Sequence, residues 1–440
     1  MSVQTTRQAA TRGRWAVAGI FLANGFLTGS WAPQIPVFLT RLDISKFTLG
    51  LLILLFGVGA VMAMTWCGHL ISRHGSRPVL RWFGICGSFG LLVVALAPNV
   101  PLAALAMLVF GGSIGGMDVA MNSNAVIVER RLSRAIMSSS HGFWSLGGFA
   151  GGALGGYSIQ NYGYLAHAIA VTALAFLVIA FAVRYLIADD RPQAAGHQKF
   201  TLPRHTIVYL VGLMALLTMV SEGAVLDWAA LYLQQELGAD LAIAGLAYAA
   251  FSGVTALMRF LGDGVRNRFG AVATLRGSAL VAAAGMLVAG LSPSPYLAIA
   301  AFAFCGFGIA NMVPILFSAG GNQEGLSSGT GMSVVTTMGY SGILVAPSAI
   351  GFVAEHSSFG PIFVALSGLL VIVLLMANWL TAPNSPPSLR RRSSASALHA
   401  GNPPRGGCAC WCARHGALQA TPAARAREPP ATASPVEGRD

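Results

Sequence analysis

A run of about 20 apolar residues is long enough to cross the hydrocarbon core of a bilayer, and this chain repeats such runs along most of its length. Twelve can be read, near 15–38, 47–68, 79–97, 101–124, 138–160, 163–187, 205–233, 241–262, 273–291, 295–318, 330–354 and 358–380. In lipid every backbone polar group needs an internal partner, so runs of this length are helices. Charged residues make up only 10% of the 440, against about 25% in ordinary soluble domains. The expected fold is an all-α polytopic membrane protein with 12 transmembrane helices. The first run is long and lacks a small-residue cleavage site, so a cleavable signal peptide is not expected.

The net charge of +12 would suit a nucleic-acid binder, but its placement argues for topology. With both termini cytoplasmic, only Arg41 and Lys46 of the 27 Lys and Arg fall outside. Arg12, Arg14, Arg73, Arg77, Arg81, Arg130, Arg131, Arg259, Arg266, Arg268 and Arg276 all fall inside, which is the positive-inside pattern. The expected setting is therefore an inner membrane, with the bilayer and no nucleic acid as partner. Cys67, Cys86 and Cys305 read as small packing residues. Cys408, Cys410 and Cys412, in CACWC, lack zinc-ligand spacing and a fourth ligand. No metal or other cofactor is expected.

The chain is also a duplication. GHLISRHGSRPVLR (68–81) has its counterpart in RFLGDGVRNRFG (259–270), with Arg73 and Gly75 matching Arg268 and Gly270 at an offset of 195. That offset also pairs Met137-Ser138 with Met332-Ser333, Gly147 with Gly342 and Gly156 with Gly351, while Trp31-Ala32 meets Trp228-Ala229 at 197. Six helices per copy make the copies parallel, related by an axis along the membrane normal. The expected organisation is a leader (1–14), a six-helix bundle (15–187), a polar linker (188–204), a second six-helix bundle (205–381) and a disordered tail (382–440) rich in Pro, Ala, Ser and Arg. The two bundles are expected to be pseudo-symmetric.

Polar residues inside apolar runs mark the candidate site, because each costs about 2.5–3.5 kcal/mol at bilayer depth on insertion scales. In GGSIGGMDVAMNSN (111–124), Gly111, Gly115, Asp118 and Asn122 share one helical stripe. Glu222 and Asp227 lie in the seventh run. No Lys or Arg is expected at mid-membrane to pair with these three acids. A carboxylate so placed is suited to carry a proton, and Asp118 and Glu222 are the candidates for coupling. The alternative for Asp118 is a structural hydrogen bond between helices, and for Asp227 an interfacial position. Asn24, Asn122 and Asn311 are candidate contacts for a polar solute, with Trp31 and Trp228 as stacking walls, although buried amides also join helices. His141 offers a group that titrates near neutral pH, or merely a helix start. Pro33 and Pro36 predict a bend in the first helix.

The loop G-x4-R-x-G after the second helix, echoed after the eighth, resembles the major facilitator superfamily over about residues 15–381. The resemblance implies a cytoplasmic gate at Gly68, Arg73, Gly75, Arg77, Asp263 and Arg268. The family's acid before the arginine is replaced by Ser72 and Asn267. Within the superfamily the chain is most similar to the fucose-permease-like branch and its uncharacterised inner-membrane relatives. Gly25-Phe26, Ile35-Pro36 and Asp118-x-Ala120-x-Asn122 carry that likeness, as do HGFWSLGG (141–148), SEGAVLDW (221–228) and TTMGYSGILVAP (336–347). It implies a proton role for Asp118, while Ala32 stands where the permeases carry a second acid. The expected function is monomeric, proton-coupled secondary transport of a small polar solute, sugar-like or another metabolite, and not enzymatic catalysis. A drug or metabolite exporter and a non-transporting membrane sensor are the alternatives. No Walker A loop, voltage-sensor helix or selectivity filter is present in the sequence.

Overall fold

The computed structural model describes residues 3–132, 136–188, 206–323 and 328–380. These form thirteen α-helices and one 3-10 turn, Ala377–Leu380, with no strand among the described residues. In chain order the helices are α1 (Val3–Trp31), α2 (Gln34–Leu42), α3 (Lys46–His74), α4 (Ser76–Leu96), α5 (Val100–Leu132), α6 (Met137–Tyr162), α7 (Tyr164–Ala182), α8 (Thr206–Gln235), α9 (Leu241–Phe269), α10 (Ala271–Gly290), α11 (Pro295–Gly321), α12 (Ser328–His356) and α13 (Phe359–Met376). The first apolar run breaks at Pro33 into α1 and α2, as its prolines predict, and Asp43 ends α2 in a left-handed conformation. Helix α1 begins at Val3, so helix covers most of residues 1–14. The linker and the tail, with CACWC, lie outside the described residues.

Ten helices among the described residues are long and apolar enough to cross a membrane: α3, α4, α5 and α7 through α13. Helices α1 and α6 fall short of that composition. The first carries Arg7, Arg12 and Arg14, and the second has seven glycines among its 26 residues. Both are nevertheless packed deep in the protein. Helix α1 lies against α5, α6 and α7, and α6 also runs along α9.

The duplication is written into hydrogen bonds. Ser45 caps α3 by accepting from the Thr48 N–H at 3.1 Å, and Asp240 caps α9 by accepting from Ile243 at 2.8 Å. Asn99 accepts from Leu102 at 3.1 Å, and Ser294 from Leu297 at 3.3 Å. Each pair of positions is offset by 195. Gly75 joins α3 to α4 at φ +82°, and Gly270 joins α9 to α10 at φ +79°. Only glycine adopts that backbone without strain, so the family loop's second glycine is a turn residue in both copies. Packing repeats too: α3 on α5 matches α9 on α11, and α4 on α5 and α7 matches α10 on α11 and α13. The copies meet along α6–α9 and α3–α12.

Close helix approach has a specific requirement. A Cβ at Gly111 would overlap the Phe56 carbonyl, where α5 crosses α3. Gly111→Val is expected to cost about 3 kcal/mol or more, because backbone cannot yield as a side chain can. Gly68→Ala is the control. A methyl there meets nothing within 4 Å, so its expected change is within about 0.5 kcal/mol. Thermal unfolding of the detergent-solubilised protein measures both. Equal stability of the two variants would contradict the α3–α5 packing.

Candidate functional site

Asp118 sits half-buried on α5, in the interior. One turn on, Asn122 donates through Nδ2 to the Asp118 carboxylate at 3.3 Å and to its carbonyl at 2.9 Å. The i, i+4 lane seen in the sequence is therefore real. Gly111 and Gly115, on the same stripe, face Phe56 and Ala60 of α3. Cys67 of α3 and Tyr340 of α12 lie within electrostatic reach of Asp118.

The expectation that no basic side chain meets the intramembrane acids is wrong. Arg259, counted above with the inside loop, belongs to α9, and its guanidinium turns into the protein. It donates to Glu222 of α8 at 3.2 Å and to the Ser145 hydroxyl of α6 at 2.6 Å. The two charged side chains are 13% and 22% exposed. The guanidinium also lies 5.9 Å from the centre of the Trp144 ring, in reach of a cation–π attraction. Ser138 donates to the Arg259 carbonyl at 2.9 Å. Glu222 is thus half of an ion pair that spans α8, α9 and α6, and Arg259 bonds to both sequence repeats at once. Its place within the apolar run 241–262 was the signal for it.

The other candidates separate into those that face this cluster and those that support it. Asn24 is 1% exposed and spent on the protein. It accepts from the Trp144 indole at 2.8 Å and donates to the Ile114 carbonyl at 3.4 Å. These bonds join α1 to α5 and α6 and hold Trp144. His141 stands edge-on to Phe21, 5.1 Å between ring centres, within electrostatic reach of Arg259. Trp31 and Trp228 are not walls of an open cleft. They are 6% and 1% exposed and pack against Phe38 and Phe359. Asp227, one residue from Trp228, is buried, with Tyr248 in electrostatic reach. Asn311 lies on α11 against Gly262 of α9. Tyr340 is within electrostatic reach of Asp118, Glu222 and Arg259 alike. Nothing in the sequence pointed to Tyr340 as a site residue.

At the end bearing Gly75 and Gly270, Arg77 donates to the Arg184 carbonyl at the close of α7, at 3.4 Å, and Arg131 to that of Ala188 at 3.3 Å. The first is a cation just past the carbonyl end of α7, and the second ties α5 to the chain that follows α7. Arg73 is exposed, and Arg268 lies over the Phe269 ring at 5.6 Å. The side chain of Asp263, expected in the gate, lies outside the described residues.

The opposite end carries two matched bonds between the copies. Gln160, at the end of α6, accepts from the Ala242 N–H at 2.9 Å. Glu355, at the end of α12, accepts from the Phe47 N–H at 3.3 Å. Both donor and acceptor positions differ by 195. Each side chain satisfies an orphan donor in the first turn of a helix from the other copy. Lys46 adds a bond to the Ala354 carbonyl at 3.1 Å.

A duplicated helical membrane protein with interior acids, and an ion pair of one copy bonded to the other through Ser145, has the build of a membrane transporter. The model of the Major Facilitator Superfamily matches residues 17–323 and again 211–429. The chain belongs to that superfamily. An uncharacterised MFS-type transporter of Yersinia pestis is 35% identical over 380 residues, covering 86% of this chain and 96% of that one. The membrane protein MosC of Rhizobium meliloti is 31% identical over 366 residues, 81% of this chain and 88% of its own. Among solved structures, a mutant form of the nucleoside transporter NupG superposes with a TM-score of 0.69 at 13% identity, over 84% of this chain and 100% of that one. FucP, the E. coli fucose:proton symporter, superposes with a TM-score of 0.59 at 15% identity, over 84% and 98%. The two superpositions speak to the fold.

Proposed function

We propose that this protein is a proton-coupled secondary transporter of a bacterial inner membrane, carrying a small polar solute by alternating access. In this reading α1, bent into α2, and α6 join the ten apolar helices to make twelve membrane spans in two six-helix bundles. Both termini and the Gly75–Gly270 end are cytoplasmic. One chain is the transporting unit. The observation that carries the reading is the Glu222–Arg259 pair inside the second repeat, tied to the first repeat through Ser145, with the Asp118 carboxylate held by Asn122 on α5 of that first repeat. A free acid takes a proton and gives it up, and a paired acid reports on what its partner binds. Asn122 keeps the Asp118 carboxylate in place. That FucP is a fucose:proton symporter agrees with coupling on this fold.

The test is substrate-dependent proton flux in proteoliposomes with a broad panel of sugars and metabolites. Flux that appears with at least one solute is the expected result. A panel that moves no protons removes the symport reading.

Alternating access also needs one end shut while the other opens. The Gln160 and Glu355 bonds close the outer end in this conformation. Replacing both by Ala removes two cap-like bonds, together about 1–2 kcal/mol. The expected outcome is a roughly five- to thirty-fold faster reaction of a cysteine placed at Leu49, buried near the start of α3, with an impermeant reagent added outside. An unchanged rate would show that the two bonds do not hold the outer end.

A further inference from the structure

We propose that a small cavity between α6, α9 and α11 holds the acid group of the solute, and that the solute is a hydroxylated carboxylate. The inference rests on the transport reading and narrows it to a substrate class.

The cavity lies along α9 from Arg259 towards the cytoplasmic end. Its walls are Ser138, Arg259, Gly262, Arg266, Asn311 and the turn around Pro314. At about 40 Å³ it has room for a carboxylate or two or three waters, not for a whole sugar. Three features point to a ligand. First, Asn311 is 8% exposed, and its amide has no hydrogen-bond partner among the described residues. Its amide atoms keep some exposure to the cavity and are free to bond what enters it. Gly262 is where Asn311 fits, since a Cβ there would overlap its Oδ1. Second, both arginines have donors to spare. A guanidinium offers five N–H groups. Arg259 spends one on Ser145 and one on Glu222, and Arg266 one on Ser318 at 2.8 Å. Both ends of the Arg259 fork are engaged, Nη1 on Ser145 and Nη2 on Glu222, whereas Arg266 uses only Nη2, on Ser318, and so presents the freer fork to a bidentate acid. Third, Pro314 has no N–H, so the Ala310 carbonyl in the cavity wall lacks its helical donor. A carboxylate alone would be repelled by that carbonyl. A hydroxyl beside the carboxylate donates to it.

The experiment uses the purified full-length protein in nanodiscs of neutral lipid, with thermal unfolding as the readout. The probes are gluconate, glucuronate and glycerate, their neutral counterparts glucose and glycerol, and inorganic phosphate. The expected result is stabilisation by at least one hydroxy acid and not by its neutral counterpart. Arg266→Gln and Asn311→Leu are expected to weaken that binding roughly 10-fold or more, the loss of a charge-assisted hydrogen bond. Arg259→Gln is expected to abolish it, and if that variant does not fold, the other two decide. The proposal falls if glucose or glycerol stabilises as well as the acids, if no acid stabilises, or if Arg266→Gln and Asn311→Leu bind acids as the parent does. Stabilisation by nanodiscs of anionic lipid in place of free acids would reassign the cavity to a lipid phosphate and overturn it. If a neutral solute drives proton flux in proteoliposomes, the transport reading stands while this inference fails.

Discussion

Asp118→Asn is expected to reduce solute-driven proton uptake in proteoliposomes to the level of empty liposomes, with thermal stability and solute binding retained. The carboxamide has nearly the same shape and still offers an oxygen to the Asn122 Nδ2, which donates to the carboxylate at 3.3 Å. It cannot take up or release a proton. A structural acid and a coupling acid therefore part company in this one variant. The duplication supplies the control. The offset of 195 carries Asp118 onto Val313 of α11, a half-buried apolar residue. Val313→Asn places the same amide at the equivalent point of the second copy. It is expected to change transport by no more than about two-fold, within the usual range for a position without a specific partner. Comparable losses at both positions would show that Asp118 holds helices together and carries nothing. Retention of half the parent's uptake by Asp118→Asn would also end its role in coupling.

How much of this site the sequence announces depends on the distance over which each partner acts. The Asp118–Asn122 pair was legible because both residues lie on one helix and 3.6 residues per turn puts them on one face. The turn glycines and helix caps were legible in part, through the repeat at 195. The ion pair was not. Arg259 stands three residues before Gly262 and the loop motif, so its charge reads as topology. Only the packing of α9 against α6 and α8 turns it inward to Ser145 and Glu222, 114 and 37 residues away. The bonding of Asn24 was illegible for the same reason. Its partners, Trp144 and the Ile114 carbonyl, belong to α6 and α5, and no pattern within the first helix announces them. A tryptophan in an apolar helix likewise gives no hint of which neighbour it meets, and Trp31 and Trp228 proved to be packed against phenylalanines. The twelve-run pattern overcounted the strongly apolar helices because α6 trades hydropathy for seven glycines that let α1 and α9 come close.

Arg259→Gln is expected to be the most damaging single change to the polar cluster. An unpaired charge inside the protein is penalised far more than a paired one is rewarded. Breaking a buried pair from one side costs about 3–5 kcal/mol. Glu222 is 22% exposed and Arg259 13%, so solvent screening brings the expected loss down to roughly 2–3 kcal/mol. Glu222→Gln should cost less. The guanidinium it leaves behind keeps the Ser145 hydroxyl at 2.6 Å and the Trp144 face at 5.9 Å. The double variant Arg259→Gln/Glu222→Gln carries no buried charge at this point, so neither side is left with an unpaired ion. It is expected to regain stability to within about 1 kcal/mol of the parent. Transport should not return with it, because two amides neither bind an acid nor exchange a proton. Thermal unfolding of the four proteins gives the coupling energy, and proton flux in proteoliposomes gives the function. Parent-like stability of Arg259→Gln alone would mean that the pair does not form. Parent-like transport by the double variant would mean that the pair only fastens α8 to α9, and would leave Asp118 as the sole acid that moves a proton.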